Sequence, residues 1–192
     1  MIGNDIVDIK ITKEQVNWQR KRFLDKVFTM HEQRLITNAS DPFSVVWRLW
    51  SMKESAYKCY VRYHQKRFFD PKKLSCTMHD LHFGHVTIDD FKFPIKTTVN
   101  SNYIYSTISK SGTENYCFHI ESVSTINQQL EVYNQLKQIM SKRLAVESEK
   151  ISIQKNTVGI PKLTINKIES DIVFSLSHHG NFGAISILKS TK

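Results

Sequence analysis

The most informative stretch of the chain, residues 50–58, reads Trp50-Ser51-Met52-Lys53-Glu54-Ser55-Ala56-Tyr57-Lys58. It lies in the clearest helical pattern of the sequence, because apolar residues recur at three- and four-residue steps across residues 43–63. Glu54 and Lys58 are four residues apart and therefore share one face of the predicted helix. Such a spacing is most often a surface ion pair, but bulky apolar residues flank this one on both sides, which favours a functional role.

Outward from this helix, an order of helices followed by strands occurs twice, without a literal repeat. Residues 2–11 read as a strand, and Thr29 with Glu32 three residues later forms a capping box that predicts the start of a helix. Alternating apolar residues predict a run of strands over residues 73–123. Residues 126–147 return to helical spacing. Three strand-like pieces close the chain, at residues 151–153, 172–176 and 182–188.

The composition indicates one folded unit with a basic surface. The chain has 192 residues, of which 40% are hydrophobic and 11% aromatic, so wholesale disorder is excluded. Its 27 Lys and Arg exceed its 18 Asp and Glu, giving a net charge of +9. A basic surface suits nucleic acid, an anionic membrane, a phosphorylated small molecule or an acidic protein, although solubility alone is another explanation.

The three cysteines are widely spaced and form no CxxC pair, so neither a zinc knuckle nor a disulfide framework is predicted. Asp5 and Asp8 lie where a signal peptide would need an apolar core. No run approaches the roughly 18 apolar residues of a membrane span. We therefore expect a cytoplasmic protein without a membrane partner.

Several segments together resemble one enzyme family. Residues 50–58 resemble the WxxKES/A…K motif of the 4'-phosphopantetheinyl transferases, the superfamily of the holo-acyl-carrier-protein synthases. The agreeing segments are the IGxDI-like residues 2–9, the FTxxE-like residues 28–32, the GxP-like residues 159–161 and the SxSHxG-like residues 174–180. The resemblance implies an α+β fold with two similar halves, each with a small antiparallel sheet and a long helix.

The order of the motifs is that of the short family members, at nearly the length of the long ones. We interpret residues 1–124 as the half with the GxD and WxxKE motifs and residues 125–192 as the half with the GxP and SxSH motifs. Together they would form one compact unit, a pseudo-dimeric monomer with a single site. The alternative is a short-type homotrimer with an insertion.

The resemblance also implies a reaction. The family moves the phosphopantetheine arm of coenzyme A, its co-substrate, to a serine of an acidic apo carrier protein, and 3',5'-ADP leaves. By motif match, Asp5 and Glu54 would hold Mg²⁺, a cation that prefers oxygen ligands. Lys58 would contact the phosphates and complete the catalytic set. The carrier protein stays open, because fatty-acid synthesis and secondary metabolism are both compatible with the sequence.

The coenzyme A contacts follow from the later motifs in the same way. Ser177 and His178 match the pair that contacts the phosphates, and Gly159 and Pro161 match the turn beside the adenine. Lys162 is a candidate for the basic residue that family members have within that turn. Basic residues that grip the 3'-phosphate in long members are missing from residues 122–129. The remaining candidates for that grip are Lys137, Lys142 and Arg143.

Two other acidic residues need an explanation. Long members carry a third carboxylate two residues after the position of Asp5, where this chain has Val7, so water or Glu32 is expected to fill that place. Asp8 lies three residues after Asp5, which would put it on the opposite face of a strand. Asp8 is therefore expected to be structural.

The competing hypotheses are a basic nucleic-acid-binding protein and an inactive coenzyme A-binding relative. The basic stretch 62–73, which contains aromatic residues, suits either nucleic acid or an acidic carrier protein. Two carboxylates would repel phosphate in a site without metal, and an inactive relative is expected to lose Asp5, Glu54 or Lys58. All three are present, so the sequence favours the enzyme and a nucleic-acid partner is not expected.

Overall fold

The computed structural model describes residues 2–122 and 124–189. Its α-helices are α1 (Ile9–Gln15), α2 (Phe23–Val27), α3 (Met30–Thr37), α4 (Pro42–His64) and α5 (Thr125–Leu144). Its first strands are β1 (Asn4–Asp8), β2 (Ser75–Met78), β3 (Phe83–Ile88), β4 (Phe91–Val99), β5 (Tyr103–Ile108) and β6 (Thr113–His119). The later strands are β7 (Ile151–Lys155), β8 (Pro161–Ile165), β9 (Ile168–Glu169), β10 (Phe174–His179) and β11 (Phe182–Leu188).

The long helix α4 forms where the apolar spacing predicts it. Asp41 caps its start, because the carboxylate accepts a hydrogen bond from the Ser44 backbone N–H at 3.2 Å. Pro42 occupies the first turn, where its missing N–H is not needed. One face of the helix is fully buried against the first sheet, through Val46, Leu49, Met52 and Ala56.

That first sheet has five antiparallel strands in the order β1-β5-β4-β3-β2. Its edge strand β1 begins next to α4, and a Cβ atom built on Gly3 would lie 2.0 Å from the Ser55 carbonyl oxygen. Only glycine permits this approach, because any side chain would collide with backbone. The close approach brings Asp5 on β1 beside the face of α4 that carries Glu54 and Lys58.

The N-terminal residues differ from the predicted strand over 2–11. The strand β1 ends at Asp8, and α1 follows directly because the Asp8 carboxylate accepts from the Ile11 N–H at 3.1 Å and caps the helix. The second Asp8 oxygen accepts from the Asn181 N–H at 2.9 Å, far away in the sequence. The structural role expected for Asp8 is confirmed, although helix capping rather than strand alternation explains it.

The C-terminal part packs α5 against the antiparallel sheet β10-β11-β6, and β7, β8 and β9 form a separate small sheet. The strands β8 and β9 were not predicted. Strand β6 precedes residue 124 in the chain yet pairs with β11 over Thr113–His119. The division of the chain at residue 124 therefore stays a proposal, because β6 lies before it in the chain but pairs with a strand that lies after it.

The two parts are joined along β1. The Asn4 N–H donates to Ser175 Oγ at 3.1 Å, and the Asp8 N–H donates to His179 Nδ1 at 3.0 Å. The prediction of an α+β fold with small antiparallel sheets and long helices is confirmed. None of the helices in the described part of the chain is long and apolar enough to cross a membrane.

Candidate active site

A cavity of about 420 Å³ lies where the two parts meet. Its walls come from β1 and α4 on one side and from α5, the β7–β8 hairpin and β10 on the other. The seven site residues predicted from the sequence all line it: Asp5, Glu54, Lys58, Gly159, Pro161, Ser177 and His178. Residues from distant motifs therefore line one cavity within a single chain.

The acidic end of the cavity is built by β1 and α4. The Lys58 ammonium donates to the Asn4 carbonyl at 2.7 Å and lies 3.3 Å from Asp5 Oδ1. Glu54 lies one turn earlier on the same face of α4. No hydrogen bond or ion pair reaches the Glu54 carboxylate from the residues that the structure describes.

Both carboxylates at this end of the cavity have raised pKa values. Burial, and then the nearby Asp5 carboxylate, raises the pKa of Glu54 to about 7, although Lys58 acts to lower it. Burial also raises the pKa of Asp5, against the opposing effect of Lys58. The nearby Asp5 carboxylate disfavours the charged form of Glu54, and a bound cation would relieve both carboxylates.

The donor set fits a magnesium ion better than a transition metal. Asp5 and Glu54 offer carboxylate oxygens, the ligands that Mg²⁺ prefers. Within residues 2–122 and 124–189, no cluster of three or more His, Cys, Asp or Glu side chains could hold a metal. A cation at this place would therefore need further oxygen ligands from a substrate or water.

The opposite wall carries a buried hydroxyl group. Ser177 on β10 is only 6% exposed, and its Oγ has no hydrogen-bond partner among the described residues. Its neighbour His178 has Nδ1 3.3 Å from Gln128 Oε1. Burial, followed by Lys58 and Lys155, lowers the pKa of His178. A buried hydroxyl without a partner in a cavity wall suits a polar ligand.

The Gly159 turn is shaped by an arginine from the other part of the chain. Arg67, which follows α4, donates through Nε to the Val158 carbonyl at 2.6 Å. A Cβ atom on Gly159 would lie 1.7 Å from Arg67 Nη2, and Gly159 has a φ of +80°. Asn156 Oδ1 holds the turn by accepting from the Ile160 N–H at 2.8 Å. The positive φ at residue 159 favours glycine, because side chains rarely adopt this backbone angle.

The structure corrects the expectations for basic residues. The 3'-phosphate candidates Lys137, Lys142 and Arg143 do not line the cavity, and Arg143 pairs with Glu114. Lys162 does not line it either, because it pairs with Glu169. The additional cations on the cavity wall are Arg62, Arg67 and Lys155. The basic stretch 62–73 signalled the first two, but no sequence signal pointed to Lys155.

Of the two alternatives for the place of the third carboxylate, water and Glu32, the structure excludes Glu32. Its Oε2 lies 2.8 Å from the Lys53 ammonium and accepts from the Thr29 N–H at 2.8 Å. Its Oε1 accepts from the Cys76 N–H at 2.7 Å. The predicted capping box is confirmed, but Glu32 is fully buried and lies outside the cavity.

The family comparison agrees with one side of this cavity. The model of the 4'-phosphopantetheinyl transferase superfamily matches residues 1–120, which include Asp5, Glu54 and Lys58. No curated protein shows significant similarity to the chain. The match covers more than half of the chain, from β1 through β6. The chain therefore belongs to the 4'-phosphopantetheinyl transferase superfamily.

Proposed function

We propose that this protein is a magnesium-dependent 4'-phosphopantetheinyl transferase of the holo-acyl-carrier-protein synthase type. It would move the phosphopantetheine arm of coenzyme A to a serine of an acidic apo carrier protein and release 3',5'-ADP. The observation that carries the proposal is one cavity with two crowded carboxylates on a wall that matches the superfamily and with cations around them.

The proposed reaction is a phosphoryl transfer. The serine oxygen forms a bond to the phosphorus that carries pantetheine, and the bond from that phosphorus to the bridging oxygen breaks. The bridging oxygen leaves with 3',5'-ADP, and the serine proton passes to a carboxylate or to water. Such reactions depend mainly on positioning and on neutralising phosphate charge.

The residues at the acidic end have separate proposed roles. Asp5 and Glu54 would hold the magnesium ion, which when bound neutralises charge on the diphosphate. Lys58 would donate to a phosphate oxygen, since its compact ammonium already lies 3.3 Å from Asp5 Oδ1. Charge that develops on the leaving group would then meet a donor already in place, which lowers the barrier.

The second wall would bind coenzyme A. We propose that Ser177 and His178 contact its phosphates and that the Gly159–Pro161 turn lies beside the adenine. The buried Ser177 hydroxyl, which has no partner among the described residues, supports the first assignment. Because one chain supplies both walls, we propose a pseudo-dimeric monomer rather than a homotrimer.

The direct test is the intact mass of an apo acyl carrier protein after incubation with this protein, coenzyme A and Mg²⁺. A gain of one phosphopantetheine group that EDTA prevents would support the proposal. No gain with several acidic carrier proteins would contradict it. Calorimetry with coenzyme A would then separate an inactive coenzyme A-binding relative from a protein that does not bind coenzyme A.

The carrier protein is proposed to approach beside Phe69. This side chain is 96% exposed and lines a smaller cavity of about 110 Å³ that shares Glu54 and Tyr57 with the main one. The serine of the carrier protein must reach the Glu54 end of the main cavity. The carrier surface around that serine must therefore cover the rim of the smaller cavity. Exposed lysines lie within a few residues of Phe69 in the chain and suit an acidic surface: Lys66, Lys72 and Lys73.

We expect Phe69→Ser to raise the KM for the carrier protein by about threefold to tenfold, because an exposed aromatic anchor is lost from the interface. The affinity for coenzyme A should not change, since Phe69 does not line the main cavity. Steady-state kinetics with varied carrier concentration would measure the first quantity and calorimetry the second. Leu81→Ser is the matched control, because Leu81 is 77% exposed and lines neither cavity. Equal effects of both variants would contradict the docking site.

A further inference from the structure

The strand β1, which carries Asp5, is bonded along both of its edges. It is an edge strand of the first sheet, and β5 pairs with it on one side. In an antiparallel pair, every second residue directs its N–H group away from the neighbouring strand. The N–H groups of Asn4 and Asp8 leave the edge opposite β5 in this way. Such groups need partners from side chains where no further strand pairs with the edge.

Two side chains of β10 supply these partners. Ser175 Oγ accepts from the Asn4 N–H at 3.1 Å, and His179 Nδ1 accepts from the Asp8 N–H at 3.0 Å. The two acceptors are four residues apart on β10, and the two donors are four residues apart on β1. The bonds therefore hold the first and the last residue of β1, and Asp5 lies between them.

The same strand is tied to α4, which carries the rest of the acidic end. The Asn4 carbonyl accepts from the Lys58 ammonium at 2.7 Å, and Asp5 Oδ1 lies 3.3 Å from that ammonium. The residue that β10 holds through its N–H group thus holds Lys58 through its carbonyl group. A shift of β1 away from β10 would therefore move both Asp5 and the partner of Lys58 relative to Glu54.

We propose that Ser175 and His179 are positioning residues for the transfer reaction, an inference that rests on the proposed function. They hold β1 at both ends and so fix Asp5 relative to Glu54. Phosphoryl transfer depends mainly on positioning, and a displacement of about 1 Å can cost about a hundredfold in rate. His179 does not line the main cavity, so it acts through the backbone of β1 and not by contact with coenzyme A.

The test compares two variants of His179 that differ in the hydrogen-bond acceptor. Asparagine can place Oδ1 near the position of the His179 Nδ1, whereas leucine has nearly the same shape as asparagine and accepts no hydrogen bond. His179→Leu should lower kcat by about tenfold to a hundredfold and leave the KM for coenzyme A within about twofold. His179→Asn should keep kcat within about threefold of the wild-type value. His119→Leu is the matched control, because His119 is exposed on β6 of the same sheet and lines neither cavity.

Amide hydrogen exchange followed by NMR tests the anchoring of β1 without any transfer reaction. The Asp8 amide should exchange at least about tenfold faster in His179→Leu than in the wild type, and near the wild-type rate in His179→Asn. Ser175→Ala removes the acceptor at the other end of the strand and should speed exchange at Asn4 in the same way. Ser175 lines the main cavity, so exchange rather than kcat is the measurement for that variant.

Two outcomes would overturn the inference while transfer by the wild-type protein leaves the proposed function intact. Equal losses of kcat in His179→Leu and His179→Asn would show that the bond to the Asp8 N–H is not what the reaction needs. Faster exchange at Asp8 in His179→Leu with the wild-type kcat would show that the bond stabilises β1 without positioning Asp5. A wild-type protein that transfers no phosphopantetheine would overturn the inference and the proposed function together.

Discussion

Glu54→Gln is expected to lower kcat/KM for phosphopantetheine transfer by about a hundredfold to a thousandfold, the range measured when one charge-stabilising group is removed from an active site. The glutamine keeps the size of the side chain but removes the negative charge that a cation would need. No partner within the described residues holds the Glu54 carboxylate, so its loss leaves no protein group unsatisfied. The defect should therefore be one of activity, measured by carrier-protein mass at varied Mg²⁺.

A second readout separates a metal ligand from a residue with only a structural role. If Glu54 holds magnesium, the variant should need more Mg²⁺ for half-maximal activity while its thermal unfolding midpoint stays near that of the wild type. Asp5→Asn should show the same pattern. Glu149→Gln is the matched control, since Glu149 is exposed and lies outside the cavity. Activity of Glu54→Gln close to the wild-type value with Mg²⁺ would refute the assignment.

The predictable parts of the fold are those with local signals. The helix α4 follows from its apolar spacing, and α3 follows from the Thr29–Glu32 capping box. The strand predicted over residues 2–11 ended early, although the β-branched isoleucines there favour a strand over a helix. The Asp8 cap decided between them, and it depends on a contact with Asn181 as well as on Ile11.

Some residues of the candidate site could likewise be predicted from the sequence, and others could not. The motif residues share a cavity, as Asp5 and Ser177 illustrate, and the resemblance named them. The place of Lys155 on the cavity wall could not be predicted, because its strand meets the loop that carries Arg67 only when the two parts pack together. The sequence alone does not show which distant residues come together in the folded chain.

A second large effect is expected at the ion pair between Lys53 and Glu32. Lys53 directly precedes Glu54 on α4 but is only 1% exposed and lies outside the main cavity. Its ammonium lies 2.8 Å from Glu32 Oε2 and donates to the Leu74 carbonyl at 2.5 Å and the Pro71 carbonyl at 2.9 Å. One lysine thus ties α3 and the segment 71–74 to the helix that carries Glu54.

Lys53→Met should lower the free energy of unfolding by about 3–5 kcal/mol, because it leaves the Glu32 carboxylate buried without its counter-charge. Urea denaturation followed by circular dichroism would measure this. The double variant Lys53→Met with Glu32→Gln should recover much of the loss, since a buried pair replaced as a whole leaves no uncompensated charge.

Lys150→Met is the control: its pair with Glu147 has a similar length of 2.9 Å but is exposed, so the change should stay below about 1 kcal/mol. If Lys53→Met and Lys150→Met lowered the free energy of unfolding equally little, burial of the ion pair would not determine its contribution to stability.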